Sequence, residues 1–239
     1  LMKHKTKSLL ILAGGLGTRL RDAIPDLPKP MAPIGNSPFL KILIDYWITQ
    51  EIKEIILLVG YKYEKIQEFF GKSYKNIPIK YSIELSPLGT GGAFRKAMES
   101  YNVSENFIFL NGDTFFKLDC NSFFLFHENN KSNFTMAVFK SITNSRYMPL
   151  SLNLKTNKLE EYNDRRKKIF LNGGIYIINK NIFNSSNFEE EKFSLEDTFI
   201  RDNIKSNNIY GFYSNGNFID IGVPDDYYFF KKNYLNIIK

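Results

Sequence analysis

Three glycines, an arginine and a lysine stand where the chain leaves its first apolar run: Leu12-Ala13-Gly14-Gly15-Leu16-Gly17-Thr18-Arg19-Leu20, then Pro28-Lys29-Pro30. Glycine lets a backbone approach a ligand closely and take conformations closed to other residues. Successive exposed N–H groups in such a turn form a nest for anions, and Arg19 and Lys29 bring positive charge to the same end of the run. That set can hold a triphosphate and stabilise charge moving between phosphates. Two better-known glycine signatures do not fit. A P-loop needs Lys-Ser/Thr where Arg19-Leu20 stands. A dinucleotide fingerprint needs a third glycine where Leu20 stands. A plain strand-to-helix turn would account for the glycines, but not for Thr18-Arg19 joined to Pro28-Lys29-Pro30.

Two carboxylates offer a second kind of chemistry. Asn111-Gly112-Asp113 ends an apolar run, and Asp220-Ile221-Gly222-Val223-Pro224 lies far downstream. Magnesium takes oxygen ligands, typically one or two carboxylates completed by phosphates and water. Two aspartates at two strand ends meet that demand. Gly89-Thr90-Gly91-Gly92-Ala93 opens a helix that Thr90 can cap, with Gly91 and Gly92 leaving room for a flat ligand. His4 and His127 have no matching Cys or carboxylate constellation and read as surface residues, and no turn supports a Ser/His/Asp nucleophile.

The elements that must position these groups follow from the apolar pattern. Strands are expected at 8–13, 54–59, 79–82, 107–110 and 134–139, and helices at 39–50, 63–70, 90–100 and 121–128. This βαβα order implies an α/β, Rossmann-like fold with a mostly parallel sheet and helices on both faces. Ligands in such sheets bind at the carboxyl ends of the strands, so Gly14, Glu84 and Asp113 should share one rim. The second half reads as shorter strands at 150–154, 159–162, 174–178 and 209–213, with helices at 193–203 and 224–234. With no linker and no repeat, a single domain is expected, its larger half over about 1–140 and a smaller β subregion over about 141–239.

The net charge is +7, but the basic residues are scattered, the longest run being Arg165-Arg166-Lys167-Lys168. A Lys/Asn/Ile/Phe-biased composition plus a site for two anionic substrates explains this better than nucleic acid does. No stretch is long enough to span a membrane, and the basic start followed by a short apolar run reads as a first strand, not a signal peptide. Cys120 is the only cysteine, so no internal disulfide forms and a reducing cytoplasm is the expected setting. The sequence leaves a homo-oligomer open.

Gly14-Gly15-Leu16-Gly17-Thr18-Arg19-Leu20 with Pro28-Lys29-Pro30 resembles the sugar-nucleotide pyrophosphorylases, nucleotidyltransferases that join a sugar 1-phosphate to a nucleoside monophosphate. The resemblance implies a nucleotide-binding half over about 1–140, a sugar-binding half over about 141–239, and nucleotide contacts from Leu12, Ala13, Gly14, Gly15, Gly17, Thr18, Arg19, Lys29, Glu84, Gly89, Thr90 and Asp113. It implies Arg19, Lys29 and Asp113 as catalytic residues, and Mg²⁺ held by Asp113 and Asp220. Glu84 stands where thymidylyl and uridylyl relatives usually carry Gln. A carboxylate accepts two hydrogen bonds and suits the paired donors of guanine, whereas it would repel a thymine or uracil carbonyl. On the sugar side, relatives carry Arg-Tyr-Gly, Glu-Lys-Pro and Asn-x-Gly; here stand Arg146-Tyr147-Met148-Pro149, Glu160-Glu161-Tyr162-Asn163 and Asn172-Gly173-Gly174. Asn111, Gly112, Glu161, Asn172, Gly173 and Glu196 are thereby implied as sugar contacts. The lysine that would meet the sugar phosphate is missing, with Arg165, Arg166 or Lys168 as substitutes. Asp26 to Pro33, Pro38-Phe39-Leu40 and Phe218 to Pro224 look nearest to a narrower group, the D-glycero-alpha-D-manno-heptose 1-phosphate guanylyltransferases of bacterial surface glycan pathways. GTP and that heptose 1-phosphate are the implied substrates. Mannose 1-phosphate guanylyltransferases, glucose 1-phosphate thymidylyl- or uridylyltransferases and a nucleotide-sugar sensor without turnover are the alternatives.

Overall fold

The computed structural model of the chain describes residues 7–21, 23–140, 147, 149–162, 170–182, 190–205 and 208–239. The first apolar run is strand β1 (Lys7–Leu12). The glycine turn follows, then short 3-10 turns at Thr18–Leu20 and Lys29–Met31. A small ribbon of β2 (Pro33–Ile34) and β3 (Ser37–Pro38) leads into α1 (Phe39–Ile48). Next come β4 (Ile52–Val59), α2 (Tyr63–Phe70), β5 (Ser73–Tyr74), β6 (Ile77–Ile83) and α3 (Gly89–Ser100). They are followed by β7 (Asn106–Asn111), β8 (Thr114–Phe116), α4 (Cys120–Asn129) and β9 (Phe134–Lys140). The second half carries β10 (Pro149–Leu152), β11 (Leu159–Tyr162), β12 (Phe170–Asn179), a π-helical turn Leu195–Ile200 running into α5 (Arg201–Asn203), β13 (Ile209–Tyr213), β14 (Phe218–Asp220) and α6 (Pro224–Ile237).

The main sheet runs in the order β11-β10-β12-β7-β1-β4-β6-β5, with β9 pairing β12 and β13. Its centre, β7-β1-β4-β6, is parallel; β12 joins it antiparallel through β7. The central strands are apolar almost throughout because both faces are covered. Leu9, Ile11, Ile55, Leu57, Ile108 and Leu110 point into one core with α1, α2 and α6. Leu10, Ile56, Leu58, Phe107 and Phe109 point into the other, with α3 and the π-helical turn. Helices therefore lie on both faces, as the alternation of elements implies. No helix among the described residues is long and apolar enough to cross a membrane.

The structure departs from the sequence reading in identifiable places. The expected helix at 193–203 begins only at Leu195, as a π turn. Ser194 caps it by accepting Asp197 N–H on its hydroxyl, and its carbonyl accepts from both Thr198 and Phe199, which widens the turn. The strand expected at 150–154 stops at Leu152 because the Asn153 side chain accepts from Lys155 and Thr156 N–H and turns the chain. β12 is longer than expected and carries a bulge between Asn172 and Tyr176, with Gly174 at φ +68°. Bulges re-aim side chains, and this one serves the site. His127 is not a surface residue. It shares the inward face of α4 with Phe123 and is 1% exposed. His4, Arg146, Met148, Asn163, Arg165, Arg166, Lys167 and Lys168 lie outside the described residues.

Candidate active site

The loop after β1 is shaped by what surrounds each glycine. Gly14 packs against the Glu84 carboxylate, where a Cβ would come within 2.5 Å of Oε1. Gly15 faces open space. Gly17 sits at φ +58°, and a Cβ there would lie 2.8 Å from Lys29 Cβ, so this glycine seats the lysine. Ala13 is buried and anchored by its N–H to Leu58 O at 2.7 Å. Thr18 and Arg19 are exposed on the following turn. At the neighbouring strand end, Gly112 N–H donates to Leu12 O at 2.8 Å, bringing Asn111-Gly112-Asp113 beside the loop.

Lys29 holds the centre. Its ammonium donates to Asp113 Oδ2 and lies 3.7 Å from Asp220 Oδ1. The two aspartates meet because β14 pairs antiparallel with β8, placing Asp220 opposite Thr114; Ile221 N–H also donates to Asp113 O at 2.9 Å. Gly222 N–H donates to Asp220 Oδ1 at 2.6 Å. Burial alone would push the Asp113 carboxyl up, but the Lys29 charge, with hydrogen bonds from Lys29 and Thr114, holds it below the usual carboxylate value. The Lys29 side chain is only 10% exposed, while Asp113 keeps 31% and Asp220 17%, so a ligand still reaches both carboxylates.

Two cavities meet at this point. The smaller, about 170 Å³, is lined by Leu12, Gly15, Lys29, Pro30 and Thr90, and the larger, about 290 Å³, by Arg19, Tyr147, Asn172, Gly173, Glu196 and Asp220 among others. Asn111 and Asp113 line both. Asn111 Oδ1 is buried at this junction without a hydrogen-bond partner among the described residues. Such an orphaned acceptor calls for a donor from outside the chain.

Most of the residues singled out in the sequence therefore come together, with some corrections. Thr90 does not cap α3. The N–H groups of Gly91 and Gly92 instead donate to Phe193 O, at 3.0 and 3.4 Å. This satisfies helix-end donors and frees the Thr90 hydroxyl to donate to Glu196 Oε2 at 2.8 Å. Nor do Gly91 and Gly92 leave space for a flat ligand: a side chain at Gly91 would run into the Phe193 ring, and one at Gly92 into Glu191 O. Gly89 opens the helix at φ +74°, also against Phe193. Glu84 is half-buried behind Gly14 and accepts Leu88 N–H at 3.1 Å. Burial raises its carboxyl, opposed by that N–H and by Lys96. Glu161 is exposed on β11 opposite Ser151 and lines neither cavity. Thr114, Phe218 and Tyr176 were not singled out. The first two line the larger cavity, and Tyr176 bonds to Asn172 and Glu196. No motif marks Tyr176; only its place four residues after Asn172 on one strand does.

Comparison with known proteins bears on this geometry. The nucleotidyl transferase family model matches residues 8–237. The D-glycero-alpha-D-manno-heptose 1-phosphate guanylyltransferase of Aneurinibacillus thermoaerophilus is 42% identical over 220 residues, 91% of this chain and 94% of that protein. Its namesake from Campylobacter jejuni subsp. jejuni is 42% identical over 226 residues, 94% and 98% of the two chains. The crystal structure of HddC from Yersinia pseudotuberculosis complexed with GMP-PN matches with a TM-score of 0.82 and 32% identity, covering 96% of this chain and 100% of that one. With a family match across nearly its whole length and relatives of this identity and coverage, the chain belongs to the nucleotidyl transferase family.

Proposed function

We propose that this protein, as a single nucleotidyltransferase domain, transfers GMP from GTP to D-glycero-alpha-D-manno-heptose 1-phosphate, giving GDP-heptose and pyrophosphate. The observation that carries the reading is the junction of two cavities at Asp113, with Lys29 and Asp220 beside it. The nucleotide belongs in the smaller cavity, beside the glycine loop, and the sugar phosphate in the larger. A phosphate oxygen of the sugar phosphate attacks the α-phosphorus; the new P–O bond forms as the bond to the bridging β-phosphate oxygen breaks, and pyrophosphate leaves with the electron pair. A phosphate monoester is already anionic near neutral pH, so no general base is needed.

The work of the chain is positioning and charge neutralisation. Lys29, which lines the smaller cavity, is the proposed partner of the α-phosphate, and Arg19, exposed on the glycine turn and lining the larger cavity, is proposed to reach the departing β- and γ-phosphates across the junction. Asn111 offers its unpaired Oδ1 to a hydroxyl at the junction. Glu196, Asn172 and Gly173 line the larger cavity and are the proposed contacts to the sugar hydroxyls. The donor set fits a divalent cation such as Mg²⁺: two carboxylates near each other, partly exposed, with the remaining ligands left to phosphates and water. Asp113 and Asp220 would hold it, and when bound it supplies additional neutralisation of phosphate charge.

Glu84 is the proposed reader of guanine: it lines neither cavity but stands beside the glycine loop, and a carboxylate keeps acceptor capacity beyond the Leu88 N–H it already takes. The test is pyrophosphate release, crossing four nucleoside triphosphates with heptose, mannose and glucose 1-phosphates. Fast release is expected only with GTP and the heptose phosphate, and Glu84→Gln should weaken GTP use. Release with a different pair overturns the substrate reading; unchanged GTP kinetics in Glu84→Gln overturns the base reading.

A further inference from the structure

One set of hydrogen bonds connects the two cavities through a residue that touches neither. Thr90 lines the smaller cavity, and Asn172 and Glu196 line the larger. Between them Tyr176 is fully buried in β12. Glu196 accepts from the Thr90 hydroxyl on Oε2 at 2.8 Å and from the Tyr176 hydroxyl on Oε1 at 3.0 Å. Each hydroxyl has one proton to donate, and the carboxylate takes both. Each hydroxyl oxygen is thereby left to act as an acceptor. Thr90 Oγ1 accepts Leu195 N–H at 2.8 Å, and the Tyr176 oxygen accepts Asn172 Nδ2 at 2.8 Å. At the far end, Asn172 Oδ1 accepts Gly174 N–H at 2.8 Å, inside the bulge. An ionised carboxylate can only accept, so it fixes the direction of every bond in the chain and, at its end, which way the Asn172 amide faces.

We propose that Tyr176 is a positioning residue for the sugar side, and that the chain Thr90–Glu196–Tyr176–Asn172 couples the two substrates. A nucleotide that packs on Thr90 steadies Glu196, and Tyr176 passes that constraint to the amide facing the sugar. This rests on the assignment of nucleotide to the smaller cavity and sugar phosphate to the larger. Tyr176 also packs its ring, with centroids 6.0 Å from Phe109 and 5.2 Å from Phe134. A purely packing role would survive Tyr176→Phe, which keeps the ring and loses only the hydroxyl.

The experiment is calorimetry on the full chain with D-glycero-alpha-D-manno-heptose 1-phosphate and a GTP analogue carrying carbon in place of the α–β bridging oxygen, each alone and then together. In the wild type the analogue is expected to tighten sugar phosphate binding about tenfold, within the usual range of coupling between sites. Tyr176→Phe and Thr90→Val should each bring that factor close to one, with the double variant no worse than either. Thr90→Ser should restore it, and Tyr176→Phe should bind the analogue alone as the wild type does. In turnover, Tyr176→Phe should raise KM for the sugar phosphate about tenfold at saturating GTP and, by reciprocity, KM for GTP by a similar factor at saturating sugar phosphate, while binding of the analogue alone stays as in the wild type. No coupling in the wild type, full coupling in Tyr176→Phe, or an unchanged sugar KM in that variant overturns the proposal. A different preferred sugar phosphate overturns the substrate reading instead, and the same cycle run with that sugar phosphate still decides the coupling.

Discussion

Lys29 sits between Asp113 and Asp220 with its ammonium nearly closed off from solvent. Its charge keeps two neighbouring carboxylates from repelling each other, and the same charge is what a phosphoryl transfer needs. In a folded Lys29→Ala variant, pyrophosphate release should fall by about 10²–10³, the usual loss for one electrostatic donor; near-normal turnover would remove Lys29 from the chemistry. His127 makes a different statement about charge. Its Nδ1 lies 2.8 Å from Thr135 Oγ1, its Nε2 has no partner among the described residues, and burial pushes its pKa down to about 4. Above the ordinary value near 6.5 the ring is neutral in both folded and unfolded chains and contributes no pH dependence. As pH falls from there towards 4, the unfolded chain takes up a proton that the folded one refuses, and stability drops by up to roughly 1.4 kcal/mol per pH unit. Denaturant melts across that window should show a shallower fall for His127→Phe than for the wild type, and equal slopes would contradict the assignment. The residues proposed to bind phosphate were legible in the sequence because glycines and cations at fixed spacing have few other uses. The burial of His127 was not, since a lone polar residue reads as exposed unless its helical partner Phe123, four residues earlier, is weighed with it.

At the scale of elements, the N-terminus of α3 is closed by a carbonyl from a distant segment. Phe193 O takes the Gly91 and Gly92 N–H groups, Phe193 N–H returns a bond to Leu88 O at 3.0 Å, and the Phe193 ring fills the place of a Gly91 side chain. Gly91→Ala should therefore destabilise the fold by about 1–3 kcal/mol through overpacking. Gly15→Ala, which meets nothing, should stay within about 0.5 kcal/mol of the wild type. The denaturant midpoints decide it, and equal midpoints for both variants would mean that Phe193 does not fill the space. The central strands were readable because burial on both faces forces continuous apolar runs. The glycines of α3 were rightly read as missing side chains, but their occupant is the chain itself. Nothing in local periodicity reports that residues 193–194 are strapped across another helix, so the helix there was placed too early.

For the whole molecule, the two carboxylates meet in space from segments far apart in sequence. β14 delivers Asp220 to β8, and α6 is fastened to the N-terminal region by the Tyr227 hydroxyl on Pro33 O at 2.8 Å and by Phe230 against Phe39 at 5.2 Å. If Asp113 and Asp220 serve one cation, chelation should abolish turnover and excess Mg²⁺ should restore it. Asp113→Asn and Asp220→Asn should then be far from additive, since either alone breaks the pair; additive losses would argue for two separate roles. The pairing of β8 with β14 also has a consequence during synthesis. A chain emerges at about 5–20 residues per second, and a domain generally folds as a unit. The glycine loop, Lys29 and Asp113 are all made before Phe193, which closes the start of α3, and before β12, which covers the edge of β7. Until the ribosome has passed β14, Thr114 has no strand opposite it and Asp113 no companion carboxylate, so the nascent chain is expected to gain turnover only as that late strand docks.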